Sequence, residues 1–175
     1  MLKQLKLLDQ FRFESSLDKE TFVSRLKENV DFGEVGFTSE AFEQFEARTN
    51  WFKGTVSSEA FVIKKRRGPF DVHLSKAVAK GTFQQKENTL FIDTTINSFR
   101  TRMYLYYGFL CLLLMAILWL GFLASSEIKL APVAITSAAI SLVLLAIIPY
   151  FLMVKSTARL KRELLLLFHK ISKHE

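Results

Sequence analysis

Four consecutive cations, Lys64-Lys65-Arg66-Arg67, form the densest polar cluster in the sequence. Near a bilayer each such charge would contribute about 1 kcal/mol with anionic lipid. On a strand, however, neighbouring side chains alternate between faces and the run is split. Solvated side chains at a strand end therefore account for it better than a contact site. The histidines are His73, His169 and His174, and the last two are five residues apart. A metal held from a helix needs two imidazoles at i, i+3 or i, i+4. The single cysteine, Cys111, excludes an intramolecular disulfide and a Cys-based metal site. There is no G-x-S-x-G, phosphate loop or H-E-x-x-H, and Gly33 and Gly36 follow a helical stretch rather than precede one. No catalytic, cofactor-binding or metal-ligating set emerges, and the balance leans against an enzyme.

The elements that carry these residues are set by two uncharged runs. Met103–Ser126 and Leu130–Val154 contain no Asp, Glu, Lys or Arg over 24 and 25 residues. About 20 apolar residues cross the hydrocarbon core as a helix, so the runs predict a transmembrane hairpin over 99–154, with spans near 103–124 and 131–154. No Asp, Glu, Lys, Arg or His lies inside either run, which disfavours a transporter or channel. Span two carries small residues at four-residue spacing, Ala134 with Ala138 and Ser137 with Ser141. These let another helix approach closely. Span one of the same chain is the preferred partner, and a homo-oligomer is the alternative.

Charge is placed at the hairpin's edges. Of the net +7, residues 1–98 contribute only +1, from 15 basic and 14 acidic side chains. Arg100 and Arg102 precede span one; Lys155, Arg159, Lys161 and Arg162 follow span two. Basic flanks mark the cytoplasmic side, so both termini are expected there. Tyr104, Tyr106 and Tyr107 open span one and Tyr150 with Phe151 closes span two, at the same interface. The six flanking cations are candidate contacts for anionic lipid headgroups. The near-neutral front region argues against nucleic acid as a partner. The opening residues, Met1 to Asp9, have too short an apolar run for a signal peptide and no small-residue cleavage site, so the front region is expected in the cytoplasm.

In front of the hairpin, residues 1–98 read as a small α+β domain. Asp9–Glu14 alternate as a strand, and Ser15 to Asp18 start a helix, with a serine hydroxyl as cap and Asp18 and Glu20 at its positive end. Phe22, Val23, Leu26 and Val30 fall on one helical face. Thr38–Arg48 reads as a helical turn or irregular loop. From Trp51 the period becomes two, predicting a hairpin turned at Ser57-Ser58-Glu59 and a second from His73–Phe83 to Thr89–Phe99, turned at Gln85–Asn88. The expectation is one helix and about five mainly antiparallel strands. Behind the hairpin, residues 155–175 form a basic amphipathic helix with Leu160, Leu164, Leu167, Phe168 and Ile171 on one face. It lies either in the headgroup layer or on the soluble domain. Pro149 allows a kink where span two ends.

Phe52-Lys53-Gly54-Thr55-Val56, Phe61-Val62-Ile63-Lys64-Lys65-Arg66 and Gly81-Thr82-Phe83, ahead of a hydrophobic span, resemble a group of uncharacterised bacterial membrane proteins. In that group a small cytoplasmic α+β domain precedes two transmembrane helices. Gly68–Val72 departs from it, since the group has an Arg-Asn-containing segment there. The resemblance implies an architecture and a bacterial inner-membrane location, and it transfers no functional residues or cofactor. The expected function is a non-enzymatic interaction or regulatory module held at the bilayer, with an unidentified protein partner. An accessory subunit that binds through the hairpin is the alternative, and a membrane-bound enzyme acting on lipid comes third.

Overall fold

A computed structural model of the chain describes residues 4–35, 49–66, 77–99, 101–124 and 131–173. The Thr38–Arg48 segment, His73, Arg100 and His174 lie outside the described residues. Six strands and three helices follow in the order β1 (Leu8–Ser15), α1 (Lys19–Glu28), β2 (Val30–Phe32), β3 (Phe52–Val56), β4 (Ala60–Lys65), β5 (Val78–Lys86), β6 (Thr89–Asn97), α2 (Thr101–Ala124) and α3 (Ala131–Lys173). The strands form one sheet, β1-β6-β5-β4-β3-β2, antiparallel except where β2 runs parallel to β3.

Two local readings change. The α1 cap is Asp18, whose carboxylate accepts from the Thr21 N–H at 2.9 Å, rather than a serine. Ser15 instead accepts from Leu17 N and bonds Ser172 on α3 at 3.0 Å. Val30 sits at helical spacing from Phe22 and Leu26, yet α1 ends at Glu28 and Val30 opens a strand. Asn29 closes the helix: its N–H bonds back to Leu26 O and Lys27 O, and its side-chain amide donates to Arg25 O. The sheet therefore has six strands where about five were expected. The β5–β6 turn is also tighter, with only Glu87 and Asn88 outside the strands and Glu87 at φ 51°.

One face of the sheet is covered; the other is open along β1, β6 and β5, while Lys53 and Lys64 at its β3–β4 end are buried. On β6, Leu90, Ile92, Thr94 and Ile96 are buried while Phe91, Asp93 and Thr95 are half-buried on the opposite face. The covered face meets α1 through Phe22, Val23 and Leu26. It also meets the last four turns of α3. Leu160, Leu164, Leu167, Phe168 and Ile171 belong to the same buried cluster as Phe13, Phe61 and Phe83. Phe168 is fully buried, with its ring within 6.4 Å of those of Phe11, Phe13, Phe22 and Phe61. The tail's apolar stripe thus packs on the sheet, which decides between its two readings. Gly81 makes room for this packing: a Cβ there would strike the Phe61 ring.

Helices α2 and α3 are each long and apolar enough to cross a membrane. They pack on one another, and along them Leu110 of α2 and Leu142 of α3 are buried and Ala138 of α3 is half-buried. The 43 residues of α3 continue past Pro149 as a single helix.

Candidate functional site

Side-chain hydrogen bonds tie the α+β region to the two long helices where they meet. Strand β6 delivers Ser98 and Phe99 directly into α2, and α3 passes beside that junction. Ser98 Oγ bonds Thr157 Oγ1, and Ser98 N–H donates to Leu7 O at 3.0 Å. Ala77 N–H donates to Ser156 Oγ at 3.1 Å, so two segments of the sheet's rim are tied to adjacent residues of α3 and a third, at Leu7, is tied to Ser98. Beneath them Leu7, Met103 and Met153 form a small separate core, flanked by Phe99, Tyr107, Tyr150 and Val154. Tyr150 donates to Leu5 O at 3.2 Å. These contacts make the junction a packed collar instead of a loose tether.

Proline 149 falls inside this collar. It has no N–H for Leu145 O, its i−4 carbonyl, and a proline in a helix interior removes that bond. The Tyr106 hydroxyl donates to Leu145 O at 2.8 Å, and Tyr107 donates to Ala146 O at 3.1 Å. The aromatic cluster that opens α2 thereby satisfies carbonyls of α3.

The flanking cations do not behave alike. Lys155, Arg159 and Arg162 are exposed and share one side of α3 at spacings of four and three. Arg159 also reaches Glu163 at 3.3 Å. Lys161 points elsewhere: its ammonium sits 2.9 Å from Asp9 on β1 and 5.8 Å from the Phe11 ring centroid. It belongs to the helix–sheet interface. Of Arg102 only the backbone is described.

The basic run also divides. Lys65 faces α3 and pairs with Glu163 at 2.6 Å. Lys64 lies on the other face, opposite Lys53, and the two are 0% and 2% exposed. The expectation of solvated strand-end side chains fails for Lys64. Arg66 is buried too, 3.0 Å from Asp31, whose carboxylate also accepts from the N–H groups of Thr49 and Asn50. Burial works to raise the Asp31 carboxyl, but the bonds from Asn50 and Thr49 and the Arg66 charge outweigh it and hold it below the usual range. Alternation showed how the run would split; burial depends on distant segments that the local pattern does not contain.

On the open face, Arg12 of β1 grips Asp93 of β6 with two bonds of 2.7 and 3.0 Å. The hydrogen bond from Arg12 is the main reason the Asp93 carboxyl sits low. Gln10 and Thr95 continue this shallow polar cleft. Nothing in it resembles a nucleophile with its base. Among the described residues no three His, Cys, Asp or Glu side chains could share a metal ion. His169 is exposed, edge-on to the Phe13 ring at 5.0 Å, and Cys111 is exposed on α2.

The small residues near the start of α3 separate. Ala138 is half-buried, whereas Ser137 and Ser141 are exposed, with Ser141 Oγ donating to Ser137 O at 2.9 Å. The side chain of Ala134 lies outside the described residues. Gly108 likewise faces open space. Comparison with protein-family models, curated proteins and solved structures finds no match to this chain.

Proposed function

We propose that this chain is an integral membrane protein whose two-helix hairpin anchors a cytoplasmic α+β domain at the bilayer surface, where it acts as an interaction or regulatory module. One observation carries the reading: α3 continues unbroken from a candidate span into the hydrophobic core of the sheet domain. A passive anchor needs only a linker. Here the anchor contributes Phe168 and its neighbours to the domain itself, so the domain and hairpin are mechanically one piece. Both termini lie on the cytoplasmic side, following the basic flanks. Lys155, Arg159 and Arg162 face anionic headgroups, and the open sheet face is presented to a protein partner.

Photo-crosslinking in intact membranes tests this. Crosslinkers at the exposed positions Thr82 and Gln84, on the open face, should give a discrete adduct that is lost when Arg12 and Asp93 are replaced. Absence of any adduct from the open face would contradict the module reading.

A second reading has its own support. Ser137, Ser141 and Gly108 leave small-residue surface exposed on the hairpin, where another transmembrane helix could pack closely. In that case the chain is an accessory subunit of a membrane complex, and crosslinkers at Ser137 and Ser141 capture the partner instead.

A further inference from the structure

We propose that Trp51 is a second membrane contact of the domain, seated in the headgroup layer of the bilayer that holds the hairpin. The inference rests on the reading of α2 and α3 as spans. Its basis is the sheet register. Asn97, Val78, Lys64 and Lys53 are successive partners across β6, β5, β4 and β3, forming one row. Beyond Asn97 the chain enters α2, so this row marks the hairpin side of the sheet. The strands alternate in direction, and on β3 the hairpin side is the N-terminal one. Trp51 therefore lies two residues past the row on its hairpin side, roughly 7 Å along β3.

The height of the row follows from α3. Ser98, next to Asn97, bonds Thr157, which is three residues past Val154, the last residue of the uncharged run. Three residues of helix rise about 4.5 Å. The headgroup region on each side of the hydrocarbon is roughly 5–7 Å deep. Trp51 thus comes to the level of the headgroups, about 14 Å to the side of the point where β6 joins α2, three strand spacings away.

Its surroundings fit that position. Trp51 is 77% exposed, while its neighbour Phe52 is buried in the core. The Lys65 ammonium lies 5.9 Å from the indole centroid, adding a cation at the same edge. Tryptophan's apolar ring and N–H donor suit the boundary between acyl chains and water, where this residue is enriched. A protein partner would use the same exposed ring, but the hairpin already brings lipid to this edge and no partner has to be recruited.

The two tryptophans, Trp51 and Trp119, allow a direct test. The full chain is placed in nanodiscs containing phosphatidylglycerol, with or without lipids brominated on the acyl chains. In the Trp119→Phe variant only Trp51 emits. Its emission should move to shorter wavelength on reconstitution, be strongly quenched by brominated lipid, and be several-fold less sensitive to acrylamide than a free indole. Full acrylamide quenching with no effect of bromine overturns the proposal and assigns the ring to water or a protein partner. In the Trp51→Phe variant, Trp119 on α2 reports hairpin insertion separately. Quenching of Trp119 without quenching of Trp51 removes this inference alone, whereas loss of both removes the membrane reading beneath it.

Discussion

The Tyr106 hydroxyl of α2 donates to the Leu145 carbonyl of α3 at 2.8 Å, and Leu145 O is the carbonyl that Pro149 leaves without its helical donor. An unpaired carbonyl in apolar surroundings is costly, so the tyrosine repairs the proline and fixes the register of the two helices together. Interhelical bonds of this kind contribute about 0.6 kcal/mol on average and up to about 1.7. Tyr106→Phe should therefore destabilise the hairpin by roughly 1 kcal/mol in a detergent unfolding titration. In a Pro149→Ala background, where the helix supplies its own donor, the same change should cost much less. Strict additivity of the two substitutions would show that the bond does not serve the proline.

Phe168 connects the sheet, α1 and α3 in one aromatic cluster and is fully buried. Phe168→Ala should cost about 3–5 kcal/mol and loosen the sheet domain although the substitution lies only seven residues before Glu175 (His169 to Lys173 would still follow in helix). Limited proteolysis of the full chain checks this: cleavage within residues 49–66 should accelerate strongly. An unchanged digestion pattern would mean that the tail merely rests on the domain.

Gly81 and Phe61 are register partners, and a Cβ at Gly81 would meet the Phe61 ring. Gly81→Ala should therefore lower the melting temperature, with a cost of about 1–3 kcal/mol from overpacking. Adding Phe61→Leu, which withdraws the ring, should recover part of the loss. A second substitution that only worsens stability would place the origin of the first effect elsewhere.

These packing relationships explain how far the sequence could be read. The alternation of Leu90, Ile92 and Ile96 against Phe91, Asp93 and Thr95 is a local signal, and β6 follows it. The tail's apolar stripe is equally visible, but the strands that cover it all precede Ser98, more than 60 residues earlier in the chain. Lys161 shows the same limit, since its partner Asp9 is 152 positions distant. Strand β2 was hidden because Val30 continues the spacing of α1, and only the Asn29 cap separates them. Pro149 was visible as a helix irregularity; the Tyr106 hydroxyl that compensates for it was not, because side-chain donors carry no periodicity.

Acid should weaken the domain. Arg12 holds the Asp93 carboxyl below its usual value, the Thr21 N–H does so for Asp18, and Asp31 is held low despite its burial. Folded values below the unfolded ones mean that this stabilisation is present above the ordinary aspartate value of about 3.9 and is lost as pH falls through the folded values. Asp31→Asn should lower the melting temperature of the detergent-solubilised chain at neutral pH. The gap from the parent should narrow as pH drops below about 4. A gap independent of pH would exclude the charge of Asp31 as its cause.

The central claim is that the helix leaving the hairpin is the helix that completes the domain core. Spin labels at Ile140 and Leu166, both exposed on α3, bracket Pro149 and the junction in a Cys111→Ser background. One continuous helix places their backbones about 39 Å apart, so pulsed dipolar spectroscopy on the chain in nanodiscs should give a single narrow distribution near that distance. A broad distribution, or one centred well below it, would mean that α3 breaks at the junction and that the domain hangs from the hairpin instead of being built on it.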